Sequence, residues 1–436
     1  MNPSERNPSE RNPSQRNPSQ RNPSQRNHRD LSNAPLSVDA ALELLLGHAR
    51  AVTDNETINT FDASNRVLAE PLLSPIDMPS WDNSAMDGYA VNTADLAATG
   101  GRLRVTQRIP AGRRGEVLAP GTAARIFTGA PIPELANAVV VQEICERDGD
   151  WVVMPTDIAV GANIRARGED LRVGDPVIAA GTRLNPRHVG LAASVGAEHL
   201  SVRRRLRVAI FSSGDELVMP GQPLSPGRIY NSNRFVYRTM LDALGCEVMD
   251  LGIVADTLEA TVEALHSAAA QADLVLASGG VSVGEEDHVR PAMQQQGSLE
   301  LWRIAMRPGK PLAFGHIDDR PFIGCPGNPV SMFVTFCLFA RPFILRMQGV
   351  VGDLLPLMLP ARAAFDWPAP DKRREYQRAR LSRGTDGESV VQVFKSSSSA
   401  ALTSLTWANG VVVIPEHRTV SPGDTVDFIP FSELMT

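Results

Sequence analysis

Between Arg205 and about residue 350 the chain repeats one pattern: a short apolar run, a polar loop, then an amphipathic stretch. RLRVAIF (205–211) reads as a buried strand, and Arg234 to Leu244 as a helix stopped by Gly245. CEVMDLGIV (246–254) is a second strand, Leu258 to Gln271 a second helix, and DLVLAS (273–278) a third strand, while PFIGCPGNP (321–329) leads into an apolar helix. Parallel neighbours need long crossovers, so repeated strand–helix–strand units predict an open, mostly parallel α/β sheet. In such a sheet ligands collect beyond the carboxyl ends of the strands, so the loops there are the first place to look for chemistry.

The rest of the chain is different in kind. Residues 2–26 are five copies of a pentapeptide, NPSER twice and NPSQR three times, with proline every fifth residue and no apolar side chain. Nothing in it can be buried, so residues 1–34 are expected to be a disordered tail, with neither a signal-peptide core nor a transit-peptide pattern. Folded sequence starts near Leu36, where Ser37 can cap a helix whose Val38, Ala41, Leu42, Leu45, Ala49 and Val52 recur at helical spacing. From Val67 to about Ile178 short apolar runs alternate with Gly and Pro, a β-rich pattern. After Leu355 short strands return in SVVQVFK, GVVVIPE and TVDFIPF, suggesting a small C-terminal β-barrel at 355–436 behind an α/β domain at 205–354.

A net charge of −6 argues against a general nucleic-acid binder but leaves room for an anionic small molecule held by local cations. The most apolar stretch, Pro329 to Leu345, is interrupted by Arg341 and Pro342, so no membrane span is expected. Four dispersed cysteines without a C-x-x-C suit a reducing, cytoplasmic setting and do not read as a zinc site.

Three strand ends carry unusual loops. SSGDEL holds Ser213, Asp215 and Glu216; SGGVSVGEED holds Ser278, Gly279, Gly280, Ser282, Gly284 and Asp287; CPGNPVS brings Gly327 and Asn328 to a helix start. Gly-rich turns let backbone N–H groups approach a phosphate, although neither a P-loop nor G-x-G-x-x-G is present. Carboxylates beside a phosphate would repel it unless a cation intervened, so Asp215, Glu216 and Asp287 suggest Mg²⁺, with Asp256 a fourth member or the N-cap of the next helix. Asp215 or Glu216 capping a helix is the bland alternative. WRIAMRPGKPLAFG carries Arg303, Arg307 and Lys310 on a segment stiffened by Pro308 and Pro311, suited to a tetrahedral oxyanion.

These segments, in order, resemble the molybdopterin molybdenumtransferase family, the MoeA and gephyrin E-domain type, from about Leu36 to the C-terminus. The signatures are DNSAMDGYAV (82–91), RIFTGAPIP (125–133), NIRARGED (163–170), FSSGDEL (211–217), GRIYNSN (227–233), SGGVSVGEED (278–287), AMRPGKPLAFG (305–315), PGNPVS (326–331), REYQR (374–378) and LTSLTWANG (402–410). The resemblance implies a discontinuous linker domain (35–66 with 171–204), a β-rich domain (67–170) and a homodimer with a cleft shared between subunits. It adds Asp87, Thr128 and Asp170 from the β-rich segment, and Arg378 and Ser399 from the C-terminal one, to the candidate site. It implies that adenylated molybdopterin lies against the α/β domain, that molybdate docks among Arg307, Lys310, Arg378 and Ser399, and that AMP departs. Partners would be those substrates, a molybdopterin adenylyltransferase and an apo-molybdoenzyme or chaperone. Two other readings are a molybdopterin adenylyltransferase, whose single domain resembles residues 205–350, and a non-enzymatic scaffold. Departures from the family are Arg307, and often Arg303, in place of lysine; Leu135, Ala136 and Asn137 in place of G-A-D; and Ala400–Ala401 in place of Gly–Met.

Overall fold

The structure is a computed structural model that describes residues 35–279, 288–309 and 311–435. The pentapeptide repeats lie outside the described residues.

Its centre is a six-stranded sheet. In chain order the strands are β1 (Arg207–Ser213), β2 (Glu247–Val254), β3 (Leu274–Ser278), β4 (Gly297–Arg303), β5 (Pro311–Ile317) and β6 (Arg320–Cys325). Their spatial order is 2-1-3-6-5-4; the first four are parallel, and β5 and β4 continue antiparallel. Successive side chains of β1 point to opposite faces, which divides the core in two. Val208 and Ile210 join one cluster with Leu274 and Leu276. Ala209 and Phe211 join another with Val275 and Ala277, under the helices Leu258–Gln271 and Val289–Gln296.

The segment WRIAMRPGKPLAFG joins the end of β4 to the start of β5, which pair antiparallel, and its buried Trp302, Ile304, Leu312 and Phe314 give it a core face. The Ser37-capped helix forms over Val38–His48, ending before the Ala49 and Val52 that the spacing includes. Although its chain position is in the N-terminal linker segment, its buried Val38, Ala41 and Leu45 pack into the α/β core. The apolar stretch interrupted by Arg341 and Pro342 is one continuous helix, Pro329–Met347, with 94% of its apolar window buried inside the protein. A π-helical turn at Phe336–Ala340 precedes Pro342. Widening the helix there relieves the clash a proline ring makes with the carbonyl four residues earlier. It is a core helix by burial.

Outside the α/β unit, strands at Asn55–Asn59 and His199–Arg203 pair antiparallel, as do Leu72–Leu73 and Pro176–Ile178, so chain segments far apart in sequence form one linker unit. A six-stranded sheet built from segments between Gly88 and Val153 lies between them in sequence. At the C-terminus five strands close on themselves, because Arg374–Arg383 pairs with both Ser389–Val393 and Gly410–Ile414. Closure removes the free edges a small sheet would otherwise expose.

One ion pair ties the linker to the sheet. Arg204 grips Asp273 through two bonds, Nη1 to Oδ2 at 2.6 Å and Nη2 to Oδ1 at 2.9 Å, and the Arg207 N–H donates to Oδ2 at 2.9 Å. Burial alone would raise the Asp273 pKa, but these donors outweigh it and hold it below the usual carboxylate value. A depressed folded-state pKa stabilises above the unfolded value and is lost as pH falls through the folded one. Asp273→Asn should therefore be less stable than wild type at pH 7, and the gap should close as pH falls below about 4. Urea unfolding of both proteins at the two pH values measures it.

Candidate functional site

The carboxyl ends of β1, β3 and β6 meet as the sheet topology requires. Gly279, after β3, has φ +86°, and a Cβ there would lie 2.7 Å from the Ser213 carbonyl oxygen. A Cβ added at Gly327 would in turn lie 3.7 Å from the Gly279 Cα. Glycine at 279 is what lets the three loops approach so closely. Asn233, at the start of the helix Asn233–Ala243, ties them: its Nδ2 donates to the Gly327 carbonyl at 2.7 Å and the Ser278 hydroxyl at 3.2 Å. Above this junction lies a cavity of about 780 Å³ lined by Ser213, Glu216, Gly279, Pro311, Gly327 and Asn328 among others, with Ala400 contributed from the C-terminal region.

Of the alternatives left open for the acids, the helix caps are the ones that do not form. The SSGDEL loop runs into a short strand, Leu217–Val218, paired with Ile229–Tyr230, so neither Asp215 nor Glu216 caps a helix. Asp256 accepts a bond from the Ser213 hydroxyl at 3.0 Å, and the cap of the next helix is Thr257. Asp215 is exposed and does not line the cavity; Glu216 does. No group of three His, Cys, Asp or Glu side chains placed to hold a metal occurs among the described residues. Gly280, Ser282, Gly284, Asp287 and Lys310 lie outside those residues.

The basic segment is joined to the barrel. Met306–Arg307 pairs in parallel with Arg374–Glu375, which brings Arg307 and Arg378 into one region although they lie far apart along the chain. Arg378 is 1% exposed. Its guanidinium donates to the Ser404 hydroxyl (3.0 Å), the Gln377 side-chain oxygen (3.3 Å) and the carbonyls of Ser396 (2.7 Å) and Ser398 (3.1 Å). All four acceptors are neutral. Burial, and then the nearby Arg307 guanidinium, push its pKa down. Arg307 donates to the Ser397 hydroxyl at 3.3 Å and lies 3.7 Å from Glu375. The Ser399 carbonyl accepts from the Val330 N–H at 3.0 Å, locking the serine stretch to the helix that follows PGNP. Arg303 is exposed at the end of β4, where its carbonyl accepts from Leu36 N–H, and is not drawn into this cluster.

A third cluster forms in the β-rich segment from three separated motifs. Thr128 donates to Asp87 Oδ1 through its backbone N–H (2.9 Å) and its hydroxyl (2.8 Å), and these bonds hold the Asp87 carboxyl below its ordinary pKa. Arg167 N–H donates to Asp82 at 2.8 Å, and Ala85 N–H to the Asn163 carbonyl at 2.9 Å. Asp170 is exposed on the same turn region, its N–H bonded to the Met78 carbonyl. None of Asp87, Thr128 and Asp170 lines the α/β cavity.

The sequence signature of the MoeA N-terminal region (domain I and II) matches residues 36–196, that of a probable molybdopterin binding domain residues 209–346, and that of the MoeA C-terminal region (domain IV) residues 360–431. The chain belongs to the MoeA family. Among MoeA relatives, the molybdopterin molybdenumtransferase of Haemophilus influenzae is 38% identical over 403 residues, covering 92% of this chain and all of the relative. That of Bacillus subtilis is 32% identical over 413 residues, covering 92% of this chain and 95% of the relative. A crystal structure of the MoeA protein of Pyrococcus horikoshii OT3 superposes with a TM-score of 0.78 at 28% identity, covering 91% of this chain and all of that one. The MoeA matches span all three clusters described above.

Sequence reasoning passed over several residues of these clusters. Glu375, Gln377 and Ser404 are buried polar groups beside Arg378. Asn233 stood inside a recognised motif, and its position directly before a helix, facing two strand-end loops, was the available signal.

Proposed function

We propose that this chain is a molybdopterin molybdenumtransferase, which inserts molybdate into adenylated molybdopterin with release of AMP. The observation that carries the reading is Arg378: a buried guanidinium with only neutral acceptors, next to a second arginine and wrapped by the serine stretch that leads to Ala400 on the cavity wall. A buried charge is costly unless an opposite charge meets it, and a tetrahedral dianion suits two guanidiniums with their fork of donors. The cavity at the strand ends supplies the complementary half, backbone and hydroxyl donors for a phosphoanhydride.

In this reading Ser213, Gly279, Gly327 and Asn328 orient the adenylated pterin, while Arg307, Arg378 and the Ser399 segment hold molybdate beside its dithiolene. Holding two anions side by side is the main catalytic task, since proximity lowers the barrier once repulsion is offset. The dithiolene sulfurs displace an oxo oxygen of molybdate, which leaves as water with the two thiol protons, and water cleaves the phosphoanhydride so that AMP departs and the pterin keeps its own phosphate. Mg²⁺ would offset charge on the departing phosphate. Glu216, the described carboxylate that lines the cavity, fits an ion that binds through one or two carboxylates and substrate oxygens. Asp287 is proposed as a further ligand from sequence. The setting is the cytoplasm, in keeping with four free thiols, and upstream and downstream partners are a molybdopterin adenylyltransferase and an apo-molybdoenzyme or its chaperone. The test is turnover: AMP should be released from adenylated molybdopterin only when molybdate is supplied, and ATP with free molybdopterin should give no adenylation. The reverse pattern would assign the preceding step.

Asp87, Thr128 and Asp170 sit away from the cavity of their own chain, which supports a homodimer in which each cleft takes them from the other subunit. An Asp87→Asn subunit paired with an Arg378→Met subunit leaves one of the two clefts intact. Such heterodimers should recover up to about half of wild-type activity per dimer, as fully independent clefts allow. Purified heterodimers no more active than either parent would argue against a shared cleft.

A further inference from the structure

Arg307 and Arg378 are close enough for the charge of one to disfavour that of the other, so something besides the substrate must keep them together. The strand Arg374–Arg383 places an acid and an amide there, both nearly inaccessible: Glu375 is 2% exposed and Gln377 3%. Glu375 accepts from Trp367 Nε1 at 3.0 Å on one oxygen and from Gln377 Nε2 at 2.8 Å on the other, which also faces Arg307 Nη1 at 3.7 Å. The Gln377 oxygen accepts from Arg378 Nη1 at 3.3 Å. The amide cannot be reversed in this chain, because a carboxylate only accepts and a guanidinium only donates.

We infer that Glu375 and Gln377 are positioning residues for the oxyanion site, a buried relay in which one carboxylate balances Arg307 directly and orients Arg378 through the Gln377 amide. The inference rests on the proposed molybdate site and adds the residues that assemble it. Glu375 faces the partly exposed Arg307 directly and reaches the buried Arg378 through Gln377. Gln377 carries no charge of its own and, being buried, acts through its two partners, Arg378 and the Glu375 carboxylate that faces Arg307. Its effect is therefore confined to the anion, with no influence on the pterin or the leaving AMP. Trp367, whose backbone also bridges to Val420 on the barrel, fixes the far end of the relay.

The test is a double-mutant cycle on molybdate-dependent AMP release by the full-length chain, with adenylated-pterin binding followed separately. Gln377→Leu keeps a similar volume and removes both relay bonds. It should raise the molybdate concentration for half-maximal rate about five- to thirtyfold, leaving kcat and pterin binding within twofold. Arg378→Lys should raise it on its own, and adding Gln377→Leu to that background should raise it by clearly less than Gln377→Leu does alone, since residues acting through one another are not additive. If Gln377→Leu does not fold, Trp367→Phe removes the outer donor and should shift the molybdate requirement by two- to fivefold in the same direction. An additive double mutant, an equal loss in kcat or pterin binding, or an unchanged molybdate requirement in folded Gln377→Leu overturns the relay while leaving the oxyanion site in place. An unchanged requirement in Arg378→Lys itself overturns both.

Discussion

Arg378→Met should raise the molybdate requirement of AMP release by roughly 10- to 150-fold while costing the protein little stability. The first half follows from losing a charge-assisted contact to a bound oxyanion, worth about 1.5–3 kcal/mol, with each 1.4 kcal/mol a factor of ten. The second half follows from the environment. The guanidinium is buried with no carboxylate among its hydrogen-bond partners, so removing it relieves a desolvated charge even as it leaves the Ser396 and Ser398 carbonyls short of a donor. Replacing a buried charge with an apolar side chain of similar length is often near neutral for stability. A functional residue is recognised by this combination: activity falls, and the melting temperature moves by only a few degrees. If instead the protein melts far below wild type and keeps its molybdate dependence, Arg378 is a structural clamp on the serine stretch and the anion site lies elsewhere. Adenylated-pterin binding by the same variant should stay within a few-fold of wild type, because the strand-end cavity is built from other residues.

The two halves of the site were legible in the sequence to different degrees, for physical reasons. The strand-end loops could be read because an α/β repeat fixes where its loops emerge, and because a glycine such as Gly279 signals a backbone that must come close to something. The parallel strands also follow from period and length alone. The meeting of Arg307 with Arg378 comes only from the family resemblance, and residue spacing alone does not give it. It depends on two residues, Met306 and Arg307, adding a short strand to the barrel, and no local pattern announces so brief a pairing. Arg303 has the same charge as Arg307 and stands just before it in the same segment, yet it ends a strand on the exposed side. Composition could not separate the two; register did. The two roles left open for Asp256 also needed the structure. Asp256 and Thr257 are adjacent and both can cap a helix, and the choice fell to Thr257 because Asp256 is engaged by Ser213 across the sheet.

Gly279→Ala should do to the organic substrate what Arg378→Met does to the anion. At φ +86° an added Cβ would stand 2.7 Å from the Ser213 carbonyl oxygen, a backbone atom that cannot rotate away. A non-glycine residue held in such a conformation costs of order 1–3 kcal/mol, and relief requires the β1 and β3 loops to separate. That separation would pull Ser278 from Asn233, whose amide also holds the Gly327 carbonyl, so all three strand ends would shift together. The core beneath is independent of these loops, and the protein should still fold with a melting temperature lowered by several degrees. Binding of adenylated molybdopterin should weaken by more than about tenfold, since a displacement of about 1 Å in orienting donors is costly to a preorganised site. The molybdate concentration for half-maximal rate, measured at saturating pterin, should stay within a few-fold of wild type, because Arg378 is carried by the barrel strand Arg374–Arg383 and Arg307 by the strand paired to it, with the Val330–Ser399 bond linking them to the PGNP end. Isothermal titration with the adenylated pterin, alongside the molybdate dependence of AMP release, separates the two effects. Intact pterin binding in a folded Gly279→Ala protein would show that the strand-end junction does not bind the pterin, and would move the organic half of the site away from it.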